Sequence, residues 1–114
     1  MSEKQTEDIS RRVQLAYLAD FYGGLLTQRQ REVLALHCNE DMSLSEIAQE
    51  LGTSRQAVHE QFTRAESRLN ELEEHLHQAE RALRTEEKLS ECLYLLEEGK
   101  SAEAQALLRG LIEE

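Results

Sequence analysis

The chain has 114 residues, enough for one ordinary domain or one small domain with an appendage and too few for two independent enzyme cores. It contains no proline, five glycines, 4% aromatic and 32% charged side chains, which is short of the turns and strand-forming residues that a sandwich or barrel needs, so an all-α fold is expected. The formal charge is −10, with 7 basic and 11 acidic residues over 1–66 and 6 and 12 over 67–114, which confines any nucleic-acid contact to a local patch.

Hydrophobic residues make up 39% of the chain, low for one compact globule, and point to an elongated shape or a core completed by a second subunit. No apolar run approaches the roughly 18–20 residues that span a bilayer. The opening Met1-Ser2-Glu3-Lys4-Gln5-Thr6 has no signal-peptide core, so a cytoplasmic setting without membrane insertion is expected. Cys38 and Cys92 form no CxxC unit and read as small buried hydrophobes in a reducing compartment.

In chain order, Ile9 to Tyr22 carries two apolar rows: Ile9, Val13, Ala16, Tyr17 and Phe21 in one, Leu15, Leu18, Tyr22 and Leu25 in the other. Two faces call for two partners, the domain's own core and a neighbouring subunit. Gly23-Gly24 ends this helix. Thr27-Gln28-Arg29-Gln30 has the spacing of a capping box and opens a second helix to about Cys38. After the turn-like Asn39-Glu40-Asp41, a second capping box, Ser43-Leu44-Ser45-Glu46, opens a short helix with Leu44, Ile47, Ala48 and Leu51 on one face, stopped by Gly52. Ser54 caps the next helix, and no Gly or Pro interrupts Arg55 to Arg84. That stretch predicts a helix of about 30 residues, roughly 45 Å long. Thr85 or Ser90 caps a fifth helix with Leu89, Cys92, Leu93 and Leu96, ended by Gly99, and Ser101 caps a sixth with Ala104, Leu107, Leu108, Leu111 and Ile112. The last two form a helical hairpin. The organisation expected is a helix-turn-helix domain over 1–66 and a long-helix dimerisation segment with the hairpin over 67–114.

Leu44 to Val58 has the residues a helix-turn-helix requires: Ala48 is small where two helices cross, Gly52 supplies the positive φ of the turn, and Ile47, Leu51 and Val58 plug the shared core. Either the motif merely packs or its second helix enters a major groove N-terminus first. In the second case Ser54, Arg55, Gln56, His59, Thr63 and Arg64 are the nucleic-acid-binding residues, with Arg55 suited to guanine and Gln56 to adenine. Arg68 lies further along for phosphate or intersubunit pairing, while Glu60 and Glu66 face the same region and weaken it.

Beyond the recognition helix, Phe62, Ala65, Leu69, Leu72, Leu76, Ala79 and Leu83 recur at spacings of 3 and 4, an a/d heptad pattern. It reads as a coiled-coil-like dimer seam or as a stripe packed on the chain's own domain. The histidines are His37, His59, His75 and His77, and the closely spaced pair His75 and His77 points to different helix faces, which argues against a metal site. No nucleophile triad, phosphate loop or apolar-pocket carboxylate pair is traceable, so no enzyme, cofactor or small-molecule substrate is expected.

The stretch Leu26-Thr27-Gln28-Arg29-Gln30-Arg31-Glu32-Val33-Leu34 through Val58 resembles region 4 of bacterial sigma factors, the part that recognises a promoter element. Tyr17-Leu18-Ala19-Asp20-Phe21-Tyr22, Leu25-Leu26-Thr27, Ser43 to Ala48 and Ser54 to Val58, followed by an acidic long helix, are similar to the YlxM-type family of small bacterial proteins. The resemblance implies an all-helical dimer with a sigma-region-4-like helix-turn-helix. That family is commonly encoded beside the signal recognition particle GTPase and its receptor, which implies an accessory role in protein targeting. The expected function is a dimeric DNA-binding regulator whose contact with DNA is weak and salt-sensitive. Its rival is a protein- or RNA-binding adaptor that docks on signal recognition particle components.

Overall fold

A computed structural model of the chain describes residues 3–114, with side chains from Ile9 onward; Met1 and Ser2, part of the stretch read above for a signal core, lie outside the described residues. The described residues form six helices and no strand: α1 (Glu3–Tyr22), a 3-10 turn (Gly23–Leu25), α2 (Gln28–Cys38), α3 (Leu44–Leu51), α4 (Arg55–Leu76), α5 (Gln78–Glu97) and α6 (Ser101–Glu113). The all-α class read from composition is the observed one. Contacts divide the chain into two compact units, one ending at His77 and the other spanning Gln78–Glu114.

In the first unit α4 packs against α1, α2 and α3. The two rows of α1 separate as their phases require: Leu15, Leu18 and Tyr22 are buried, and Ile9, Val13 and Phe21 are exposed. Leu25, expected in the inner row, is instead exposed, and Leu26 is buried. The change from α-helix to 3-10 turn at Gly23 alters the angle per residue and hands the inward position to the next residue. Both capping boxes form: Thr27 and Ser43 each accept a backbone N–H three residues on, while Gln30 and Glu46 reach back to the cap. Across the core the Tyr22 hydroxyl donates to the Glu73 carboxylate at 2.6 Å, tying the end of α1 to α4.

The heptad stripe meets its own domain first. Phe62, Ala65, Leu69 and Leu72 are buried in the single chain, on the helix that α1, α2 and α3 pack against. Further on Ala79 is buried, whereas Leu76 and Leu83 are exposed.

The uninterrupted helix expected from Arg55 to Arg84 is corrected. His77 adopts a left-handed conformation, φ 53°, and its N–H closes α4 on the Glu73 carbonyl at 2.8 Å. Histidine is among the non-glycine residues that tolerate this region, so a helix can end here without Gly or Pro. A second helix starts at once and runs through Thr85 and Ser90, neither of which acts as a cap. The expected hairpin is present. Gly99, φ 75°, turns the chain, and the Gly99 and Lys100 amides bond back to the Leu96 and Leu95 carbonyls. Ser101 is the first residue of α6 and not its cap, which is Lys100.

Because Leu69 is wholly buried and Leu76, one heptad on, is 42% exposed, alanine replacements should separate them. Leu69→Ala is expected to cost about 2–5 kcal/mol and Leu76→Ala under about 1 kcal/mol in urea unfolding of the full chain. Equal costs would contradict the assignment of the stripe to the chain's own core.

Candidate nucleic-acid interface

The turn that carries the candidate site is fixed by two residues. Gly52 takes φ 68°, and its N–H and that of Thr53 bond the carbonyls of Gln49 and Ala48 that end α3. Ser54 then accepts the Ala57 N–H at 3.1 Å and starts α4. Ile47 and Val58 are buried, as the helix-turn-helix spacing predicts, and so is Ala48 at the crossing, whereas Leu51, expected with them in the core, is only half-buried at the end of α3.

This geometry leaves the first half of α4 outward. Ser54, Arg55, Gln56, His59, Thr63 and Arg64 are all exposed, with Val58 and Phe62 holding the opposite face in the core. His59 and Thr63 border a depression shared with Arg11, Arg12, His37 and Leu44, on the α1 and α3 side. Arg64 and Arg68 lie on the α2 side, where Thr27 and Gln30 line the same depression.

Sequence spacing gave no notice of Arg29. It lines a depression with Thr53, Ala57 and Gln61 and so stands beside the recognition helix, through packing of α2 on α4 that only the tertiary structure supplies. Its one sequence signal was its place in the first turn after the Thr27 cap. Arg31, two residues on, points elsewhere: its guanidinium donates to the Gly23 and Leu26 carbonyls and secures the α1–α2 turn.

Three arginines of this face are paired along their own helices. Arg64 meets Glu60 at 2.6 Å, Arg68 meets Glu71 at 3.6 Å and Arg29 meets Glu32 at 3.4 Å. Each pair is solvent-exposed, so each contributes little to stability and is open to exchange for another anion. Among the described residues Arg55 has no ion pair. Glu66 is corrected. It turns inward to the Arg11 guanidinium, which also lies 5.7 Å from the Phe62 ring centre, so it serves the α1–α4 packing and is withdrawn from the recognition face. Arg12 pairs with Asp41 and fastens α1 to the α2–α3 loop.

His37 is part of the support and no ligand: its ring packs edge-on against Phe62 at 4.9 Å, and its Nδ1 lies 2.9 Å from the Met42 carbonyl, which can only accept, so that nitrogen carries the proton. Among the described residues no cluster of His, Cys, Asp or Glu could hold a metal ion. The Cys38 thiol is half-buried beside α1, and that burial pushes it above its ordinary value of 9.0, outweighing the Arg12 charge. It is therefore a protonated thiol near neutral pH. Cys92 is buried in the second unit, as its reading as a small hydrophobe requires.

Comparison with known proteins adds three findings. The family described as "Putative helix-turn-helix protein, YlxM / p13 like" (UPF0122) matches residues 9–107. UPF0122 protein STH1464 of Symbiobacterium thermophilum is 44% identical over 98 residues, 83% of this chain and 92% of that protein. UPF0122 protein BH2485 of Halalkalibacterium halodurans is 41% identical over 108 residues, 90% of this chain and 95% of that protein.

The turn itself can be tested. No atom lies within 4 Å of a Cβ built on Gly52, so the cost of Gly52→Ala is conformational alone. That variant should lose about 1–2 kcal/mol for its left-handed φ, and Ser54→Ala about 1 kcal/mol for the lost cap, by urea unfolding. Neutral behaviour of both would mean that the α3–α4 turn does not hold this geometry in solution.

Proposed function

This chain belongs to the UPF0122 family of YlxM / p13-like helix-turn-helix proteins, and on that footing we propose that it is a dimeric DNA-binding regulator whose α4 enters the major groove. One observation carries the reading: a complete helix-turn-helix turns Ser54, Arg55, Gln56, His59, Thr63 and Arg64 to solvent on the N-terminal half of its second helix. Arg55 and Gln56 read bases. Arg64, Arg68 and Arg29 meet phosphate by exchanging Glu60, Glu71 and Glu32 for it. That exchange returns little net energy, so affinity is low and falls steeply with salt.

The second copy in this proposal docks through the outer row of α1, where Ile9, Val13 and Phe21 are exposed, and Tyr17 packs edge-on to Phe21 at 5.2 Å. Burying those side chains on both copies would contribute about 1.5–3 kcal/mol each before ordering costs. Leu69 and Leu72 of α4 are already buried inside the chain.

A second reading is an adaptor of the protein-targeting machinery, binding signal recognition particle components without reading DNA sequence. The cis pairing of Arg29, Arg64 and Arg68 favours it, because it leaves the recognition face nearly neutral.

Selection from genomic fragments at low salt should enrich a sequence, and affinity should fall about tenfold or more towards physiological salt. Arg55→Ala with Gln56→Ala should erase the preference, and Glu60→Gln, which releases Arg64, should tighten binding. No enriched sequence at any salt, with Glu60→Gln without effect, would replace the regulator by the adaptor. Separately, sedimentation of Val13→Lys should show a monomer with unchanged helicity; a persisting dimer would remove α1 as the seam.

A further inference from the structure

The second unit, Gln78–Glu114, is a pair of antiparallel helices with very little of its own core. Only Ala79, Cys92 and Ala104 are buried there. The two helices are held by the Cys92 thiol against the Ala104 carbonyl at 3.8 Å and by Lys88 to the Glu114 carboxylate at 2.8 Å. That contact fixes which faces of α5 and α6 meet, and so fixes the rest.

On α5, Leu89, Leu93 and Leu96 follow at spacings of 4 and 3 and form one row, rotated away from Cys92 and therefore away from α6. On α6, Leu108 and Ile112 are a row one turn and two turns past Ala104, drifting off the contact in the same rotational sense. In an antiparallel pair those two rotations carry both rows to the same side. The five side chains are 48%, 58%, 51%, 36% and 81% exposed in the order named. The result is an exposed apolar strip along the groove between the two helices.

The charges around the groove select its occupant. The unit has nine acidic and five basic residues, a net −4, and Lys88 pairs with Glu114 and Arg84 with Glu80. Glu86 and Glu97 lie on the same arc of α5 as the leucine row. A second copy of this unit would bring the same negative charge to the groove and be repelled. We propose that the α5–α6 groove binds a basic amphipathic helix of a partner protein, with apolar residues at i, i+3 or i+4, and i+7 against the leucines and Lys or Arg at its edges meeting the glutamates. This is helix-in-groove recognition, and it uses residues of the second unit and none of the residues assigned to the recognition face of α4.

The test uses the full chain and three labelled peptides of equal length: a basic amphipathic helix of that pattern, a scrambled peptide of identical composition, and the amphipathic helix with Glu in place of each Lys and Arg. Fluorescence anisotropy should show saturable binding of the first, and binding at least about tenfold weaker for the other two. Leu93→Ser and Ile112→Ser, at exposed positions, should each weaken the first peptide about tenfold with circular dichroism unchanged, whereas Arg55→Ala should leave it unaltered. Equal binding of the scrambled peptide would reduce the effect to bulk charge and overturn the proposal. So would no binding of the first peptide, binding indifferent to Leu93→Ser and Ile112→Ser, or a concentration-dependent dimer that Leu93→Ser dissociates, which would make a second copy the occupant.

Discussion

The first unit depends on the burial of one stripe of α4. Val58, Phe62, Ala65, Leu69 and Leu72 lie along a single side of that helix, and α1, α2 and α3 are each positioned by contact with it. Ala65 and Leu69 are wholly buried. The same stripe fixes the rotation of α4 about its axis, and with that rotation it decides which residues of the first two turns face outward. The candidate interface is thus a consequence of core packing: His59 and Thr63 are exposed because Val58 and Phe62 are not.

Electrostatics then shape what that outward face can do. Arg29, Arg64 and Arg68, which could reach a phosphate, are paired with acids three or four residues away on their own helices. Exposed pairs at this spacing cost little to break and so return little when a phosphate takes the acid's place. A helix-turn-helix with neutralised arginines differs physically from one with a free basic rim, even when the backbone is the same. Two other arginines are withdrawn for structural work, Arg11 against Glu66 and Phe62 and Arg31 on the carbonyls of the α1–α2 turn.

The second unit is built on a different balance. Its fully buried contact is made by small residues, Cys92 and Ala104, with Leu95, Leu107 and Leu111 half-buried, while Leu89, Leu93, Leu96, Leu108 and Ile112 remain exposed. Hydrophobic burial scales with area, so such a pair gains little from its own contact. A protein can keep leucines in water at that density, and the acidic residues interspersed among them counter self-association through like charge.

Local chemistry made much of this protein legible in its sequence. The caps at Thr27, Ser43 and Ser54 and the turn at Gly52 act over three or four residues, and each lies where the spacing put it. The all-α class, the helix-turn-helix, the hairpin and the family resemblance followed from such local signals. The extent of α4 did not, because His77 takes a left-handed conformation that its residue type permits but does not demand. Nor could a 3–4 spacing say what covers it: the same pattern serves a seam between chains or a core within one, and only the packing of α1 to α3 showed Phe62, Ala65, Leu69 and Leu72 inside this chain. The placement of Arg29 beside α4 and of Glu66 against Arg11 likewise required the tertiary structure. Contacts between residues far apart in sequence depend on how helices dock, and periodicity along one helix specifies a face without specifying its partner.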